Sequence, residues 1–366
     1  MAQLSRIQPA ALGNSGVELG MRNRLINGGM AFDQRNAGAS ATQGTSNAYC
    51  LDRWLTVGSQ ASKFTVQQNT VDAPVANGFA TCAKITSSSA YTVGASEIFF
   101  FIQKIEGFNQ TDIGWGTSGA QPVTLSFLVR SSLTGTFGGC LINGPETYTF
   151  PFSYTINNAN TWETKTITIP AQTAGAWSNN SNGVGIQLVF SMGCGSSLQA
   201  AGNTWTTGSK YAPTGATNVV GTNAATWYIT GVQLEKGSNA TPFEFRQYGA
   251  ELALCQRYYQ GYTYSNGSRI CMGFARSSAI VDGLFQFPVM RAAPTVSLPP
   301  LGNGAGQGTY VTNAFGYPGM TGSLSAVSVN TSSFVIFQSG DSGFTTGQSS
   351  IFYSSSGCSL SLSAEL

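Results

Sequence analysis

Histidine is absent from this chain of 366 residues. That removes the serine-hydrolase triad in its usual form, which needs an imidazole to take the nucleophile's proton. It also removes the commonest transition-metal ligand. The seven cysteines, Cys50, Cys82, Cys140, Cys194, Cys255, Cys271 and Cys358, contain no CxxC pair to close a tetrahedral zinc site. An odd, scattered set reads as buried free thiols, and neither metal nor cofactor is expected. Charge is scarce too: 9% of residues are Asp, Glu, Lys or Arg, against roughly 25% in ordinary soluble proteins. The net charge is +2 with no long run of either sign. Arg22, Arg24 and Arg35 are the nearest approach to a basic cluster, too few for the phosphate neutralisation that nucleic-acid binding requires. No apolar run approaches the roughly 20 residues that cross a bilayer. The opening MAQLSRIQPAALGNSG lacks the apolar core of a secretory signal, which fits synthesis in a cytosol and release by cell lysis rather than export.

What the chain does have is glycine (45 residues), small polar residues, and short runs of Val, Ile, Phe and Tyr between turn clusters. That composition predicts an all-β protein rich in loops. Strands are expected at 53–57, 64–67, 80–85, 98–105, 123–130, 163–169, 184–190 and 227–234. In the fifth of these, Val123, Leu125, Phe127 and Val129 alternate with their neighbours and should face the interior of a sandwich. Around eight such strands suit a jelly roll. Further strands are expected at 269–274, 284–287, 295–298, 333–338 and 350–353. Between the two β regions the period changes. Tyr248, Leu252, Cys255 and Tyr259 are spaced four, three and four apart, the narrow apolar seam of one short helix. The expected architecture is therefore a jelly-roll β-sandwich, a short helix and a smaller C-terminal β-sandwich. The divisions fall at 1–22 (an extended arm), 23–246, 247–260 and 261–366.

Chemistry is harder to find. Acid–base cleavage of a glycan would need two carboxylates about 5 to 9.5 Å apart. Asp33, Asp52, Glu97, Glu106, Glu235 and Glu244 are candidates, but a structural ion pair or loop hydrogen bond is the plainer role for each. A GxGxxG at Gly114, Gly116 and Gly119 precedes a strand-like segment rather than a helix, so it reads as a loop. Aromatic rings among Asn, Ser and Thr suit sugar recognition, because the ring takes the CH face of a sugar while the polar side chains take its hydroxyls. Trp54 and Trp227 sit in strand-like contexts and read as core, and Trp162 fits either role. Trp115, Trp177 and Trp205 in loops, with Tyr264, Tyr310 and Tyr317 in the last region, are the candidate ligand contacts.

The segments NRLINGGMAFDQRNAG, LDRW, QLEKGSNATPFEFR with AELALCQRYY, and FPVMRAAPTV together resemble a group of phage virion proteins described as tail fibre or receptor-binding components. The resemblance spans roughly Asn23 to Val296. It implies a jelly roll like a carbohydrate-binding domain, a helix and a smaller β domain in a homotrimeric fibre. The N-terminal arm would attach to other virion proteins, and the distal end would recognise a host surface glycan or other receptor. On this view the protein is a virion component and not an enzyme. A capsid decoration or head fibre is the alternative, and a glycan depolymerase the third. The seam Tyr248, Leu252, Cys255 and Tyr259 would pack against its copies in the trimer, and receptor contact is expected in the C-terminal region.

Overall fold

The structure, a computed structural model, describes residues 21–299, 309–312, 323–340, 344–354 and 358–366, the stretch 309–312 by its backbone alone. Two antiparallel sheets form a sandwich from the first two-thirds of the chain. The first runs β1 (Ala41–Thr42), β4 (Phe64–Asn69), β5 (Cys82–Ser87), β15 (Thr226–Lys236), β7 (Val123–Ser131) and β10 (Glu163–Ile169) from edge to edge. The second runs β13 (Thr206–Thr207), β9 (Tyr148–Ile156), β8 (Gly135–Asn143), β11 (Val184–Cys194), β6 (Ile98–Glu106), β3 (Trp54–Gly58) and β2 (Ala48–Leu51). A two-strand parallel clip, β12 (Gln199–Ala200) with β14 (Ala212–Pro213), lies in the excursion after β11.

All eight strands expected in this region are present. On β7, Val123, Leu125, Phe127 and Val129 are buried, as their alternation requires. Between the sheets the core is largely aromatic. Trp54 stacks on Phe101 with centroids 4.8 Å apart, and Phe190 lies 5.5 Å from Trp227 and 5.3 Å from Phe127. The Trp227 indole N–H donates to the Tyr154 hydroxyl at 3.1 Å, so the polar edge of the cluster is satisfied inside it. Strands β8 and β9 went unexpected. Gly135, Gly138, Gly139 and Pro151 break their strand signature, yet each glycine sits where the sheet needs one. A Cβ on Gly138 would lie 2.3 Å from Pro213 Cδ, so its absence lets the β12–β14 excursion lie flat on the sheet.

The segment 21–36 has little regular structure and is held by buried amides. Asn23 donates to Val232 O at 3.0 Å and accepts from Leu25 and Leu234 N–H. Asn27 donates to the carbonyls of Phe32 and Asp52, both at 2.9 Å. Gln103 on β6 both accepts from and donates to the Ile26 backbone at 2.8 Å. The NRLING stretch is thus a plug held by buried side-chain amides together with backbone bonds from Arg24 N–H to Leu234 O and from Val232 N–H to Gly28 O.

After the sandwich, helix α1 (Tyr248–Gln256) ends earlier than its seam foretold, and Tyr259 opens a strand. Leu252 and Cys255, expected to meet their copies in a trimer, pack within the chain on Ile26, Phe32 and Tyr258. Tyr248 is 71% exposed, its ring tilted against Phe32. Two sheets follow. One holds β16 (Tyr259–Tyr264), β24 (Cys358–Ser363) and β19 (Thr295–Ser297). The other holds β20 (Thr309–Thr312), β23 (Ser349–Ser354), β17 (Arg269–Ser277), β18 (Ile280–Gln286), β22 (Ser333–Ser339) and β21 (Ser323–Val327). Leu360 and Leu362 pack with Phe285, Phe334 and Phe352 to close this smaller sandwich. The expected arm at 1–22 lies outside the described residues except for Met21 and Arg22.

All seven cysteines are free, and six are buried. Burial pushes the thiols of Cys50, Cys82 and Cys194 up to about 12. At pH 8 iodoacetamide should therefore leave the six buried thiols unmodified in the native protein and label all seven in denaturant. Mass spectrometry of the two samples checks this; native labelling of Cys50 or Cys140 would contradict it. Gly231 sits at the bulge in β15 with φ +61°, where a Cβ would also meet Phe79 at 2.6 Å. Gly231→Ala should cost about 2 kcal/mol from the left-handed backbone and the contact together, read as a lower urea midpoint at unchanged m-value.

Candidate functional site

The seven-stranded sheet is apolar on both faces. On β6 the run Ile98–Glu106 sends Phe99, Phe101 and Ile105 into the sandwich, while Phe100 and Ile102 join a separate cluster on the outer face with Leu55, Cys140, Ile142 and Val189. The excursion after β11 covers one end of this outer face. What remains is a groove of about 390 Å³, within the roughly 300–1,000 Å³ typical of small-molecule sites.

Its floor is Val57, Ile98, Phe100, Ile102 and Val189, and its rim is polar: Asn47, Lys104, Glu146, Gln187 and Tyr211. The rim is built by local rules. The turn between β8 and β9 is tied by Asn143, whose side-chain oxygen accepts from Thr147 and Tyr148 N–H at 2.8 and 3.0 Å. Glu146 sits in this turn at φ +56°. Its carboxylate accepts from the Tyr211 hydroxyl at 2.6 Å and from Gln187 Nε2 at 3.0 Å. Tyr211 is held by its N–H to Leu198 O at 2.9 Å, and its ring leans on Phe100 at 5.0 Å. Burial and the Glu146 acceptor push the Tyr211 hydroxyl well above its ordinary pKa, so it stays a donor. Opposite, Lys104 Nζ donates to Leu366 O at 2.9 Å, and burial lowers its pKa. The ammonium has three donors, so two remain for a ligand. The groove thus joins an apolar floor and one half-buried tyrosine to donors and acceptors of both signs.

The aromatic residues singled out from sequence go elsewhere. Trp115, Trp177 and Trp205 do come together, with centroids 4.8, 5.3 and 5.9 Å apart. Their indole N–H groups are spent on Gln121, Ala174 and Pro170 carbonyls at 2.7, 3.0 and 2.9 Å. Trp115 is fully buried in the main core and offers no ring to a ligand, whereas Trp177 and Trp205 pack against that core and remain partly exposed. Tyr264 is half-buried against the C-terminal core, which pushes its hydroxyl up to about 12. Tyr310 lies on β20, paired through the backbone with Tyr353, and Tyr317 lies outside the described residues. Sequence reasoning missed the groove residues. The signal was the unbroken apolar run of β6, which marks burial on both faces.

The candidate carboxylates are occupied by their own chain. Glu106, buried, takes Arg257 at 2.7 and 3.2 Å and the Tyr258 hydroxyl at 2.6 Å. Glu235 accepts from Gln233 and from both Thr241 donors. Glu244 accepts from Asn23 N–H at 2.9 Å and pairs with Arg246 at 3.0 Å. Asp52 accepts from Gln34 and lies 3.7 Å from Arg35. Asp33 accepts from the Asn36 and Gly38 amides, and Glu97 from the Tyr91 hydroxyl and Gly94 N–H. Gly114 and Gly116 lie in a turn before β7, and no helix follows them. Among the described residues no cluster of three or more Cys, Asp or Glu is arranged to hold a metal.

A second hollow of about 230 Å³ lies where 23–32 meets 243–251, walled by Phe32, Phe79, Phe243, Phe245 and Tyr248. Its carboxylates, Glu244 and Glu251, are engaged by Arg246 and by backbone amides of the plug. Glu146 in the outer-sheet groove is engaged in the same way, but that groove adds Lys104, whose ammonium keeps donors free for a polar ligand.

No family model matches the sequence, and no curated protein matches it. Among solved structures, the enzymatically active domain of bacteriophage CBA120 tailspike protein 4 aligns with 59% of this chain at 12% identity, with a TM-score of 0.32. That alignment spans 21% of the tailspike chain. The family 11 carbohydrate-binding module from Clostridium thermocellum, in complex with a β-1,3-1,4-mixed-linked tetrasaccharide, aligns with 55% of this chain and 98% of its own at 8% identity, TM-score 0.27. The N-terminal cellulose-binding domain of Cellulomonas fimi β-1,4-glucanase C covers 49% and 91% at 10% identity, TM-score 0.26. Scores of this size carry no argument about function, which has to come from the chain's own side chains.

If the tryptophan trio is structural, Trp115→Ala should destabilise the fold by about 3–5 kcal/mol, the usual cost of emptying a large buried aromatic site. Urea denaturation checks this; a loss below about 1 kcal/mol would return Trp115 to the list of ligand contacts.

Proposed function

We propose that this protein is a non-enzymatic, glycan-binding component of a bacteriophage particle, with the outer-sheet groove as its carbohydrate site. The observation that carries the reading is the groove's composition. A sugar ring has an apolar face and a hydroxylated rim. The Phe100–Ile102–Val189 floor with Tyr211 suits the first, and Lys104, Glu146, Gln187 and Asn47 suit the second. Lys104 and Glu146 carry one charge of each sign, so the site has no net field to favour an ionic ligand over a neutral saccharide.

The virion setting is supported by the resemblance of the plug and helix segments to phage fibre proteins. In this reading the chain is a homotrimer, attached to other virion proteins through residues 1–22, and it adsorbs the particle to a host surface glycan. The engagement of every candidate carboxylate by its own chain supports binding without cleavage.

Screening the purified chain on an array of bacterial surface glycans should give at least one saccharide ligand. Tyr211→Ala and Lys104→Ala should each weaken it about tenfold, roughly 1.4 kcal/mol, measured at a temperature where circular dichroism shows both variants folded. Unchanged affinity in both variants would remove the groove from the mechanism. Incubation should leave the polysaccharide's chain length unchanged, and immunogold labelling of particles should decorate tail fibres rather than the head.

A further inference from the structure

The hollow between 23–32 and 243–251 plays no part in the glycan reading, and its walls differ from those of the outer-sheet groove. Five of its lining residues are aromatic: Phe32, Phe79, Phe243, Phe245 and Tyr248. Phe79, Phe243 and Phe245 pack together with centroids 4.9 to 5.1 Å apart, and the plane of Phe243 is turned 73° from each of the other two. Phe32 and Tyr248 form a second pair at 4.7 Å. Phe32 and Phe79 are buried, yet Phe245 is 62% exposed and Tyr248 71%. Large apolar side chains gathered and left open around one hollow mark a binding surface.

The polar side chains of the hollow are bonded within the chain. Asn23 bonds the backbone of Val232 and Leu234, and Asn27 that of Phe32 and Asp52. Thr81 donates to Gly29 O at 2.9 Å, and Arg246 holds Glu244 and Glu251 at 3.0 Å each. A ligand that relies on hydrogen bonds therefore finds few free partners there. Charge is a different matter. Two carboxylates against one guanidinium leave one negative charge on the lining, and the neighbouring Arg22–Glu235 pair, 3.8 Å apart, adds none. The faces of the rings are negative as well, through their quadrupole.

The hollow thus calls for positive charge that carries no hydrogen-bond donor. A quaternary ammonium is such a group: its charge is sheathed in methyl groups, it has no N–H to satisfy, and ring faces within about 6 Å attract it. At about 230 Å³ the hollow falls below the roughly 300 Å³ at which drug-sized sites begin, which suits a compact head group. We propose that this hollow binds a quaternary ammonium head group such as that of choline. It shares no lining residue with the outer-sheet groove, so failure here would leave the glycan reading standing.

Calorimetric titration of the full chain with choline should give saturable binding at one site. Neohexyl alcohol, in which a neutral tert-butyl group replaces the trimethylammonium, should bind about tenfold more weakly. Leucine keeps an apolar wall and removes the ring face, so Phe245→Leu combined with Tyr248→Leu should lower the choline affinity about tenfold. Phe274→Leu, at a position 53% exposed on the C-terminal sheet, should leave it unchanged. Given choline binding, sedimentation with phosphatidylcholine vesicles marks a lipid-borne head group as the source, and its absence a soluble one. No saturable choline binding, equal affinity for the neutral isostere, or an unaltered double variant overturns the proposal. The isostere comparison uses the wild-type chain alone and decides the case in which the double variant does not fold.

Discussion

The buried guanidinium of Arg53 is the tie on which the arrangement of both sandwiches depends. A charge taken out of water is costly unless it is paired and hydrogen-bonded, and Arg53 is 1% exposed. It forms an ion pair with Glu365, donates to Lys104 O at 2.6 Å, and lies 3.5 Å from the Tyr258 ring centroid. Burial works against its charge, and Glu365 together with Tyr49, Tyr258 and Cys255 more than offsets this, raising its pKa. The residue also holds φ +70°, a left-handed backbone that a side chain adopts only when its surroundings impose it. One side chain thereby fixes the β2–β3 turn, the end of α1, the groove strand β6 and the residues after β24.

The same economy governs the other charges. Glu106 joins β6 to Arg257 and Tyr258 after α1; Arg246 gathers Glu244, Glu251 and the Leu25 carbonyl; Arg35 reaches Glu365. Many of the few ionisable groups are thus internal fasteners. The sequence segments singled out above fall largely on them: NRLING supplies the plug, LDRW supplies Asp52 and Arg53, and FEFR supplies Glu244 and Arg246. Those motifs describe how the scaffold is closed. The outer-sheet groove is built from residues outside them.

Much of the fold was legible because alternation on strands such as β7 reports directly which face is buried. It failed where tertiary contacts outbid local pattern. The α1 seam ran on to Tyr259 in sequence, but the chain leaves the helix so that Tyr258 can serve Arg53 and Glu106. The loop tryptophans looked equally available because single loops are exposed, and sequence does not show that Trp115 is drawn into the core with Trp177 and Trp205 packed against it. β8 and β9 were hidden by glycines whose purpose, admitting Pro213 against Gly138, is visible only once the partner is in place. The groove escaped notice because β6 opens with five apolar residues in a row, Ile98 to Ile102, and a run without alternation does not say that one of its two faces is left partly open.

The junction between the sandwiches is crossed by more than the chain. Arg291 donates to Asn182 O on one side and to the carbonyls of Ala364 and Glu365 on the other, at 2.6 to 2.8 Å, beside the Arg53 and Arg35 pairs with Glu365. When a chain of two packed domains is loaded at its ends, the force crosses the joint between them. A lone connector would pass that force through one backbone and stretch. Here several charge-assisted bonds lie side by side across the joint and must give way together, so the load is shared among them and the two sandwiches are expected to move under tension as a single stiff rod.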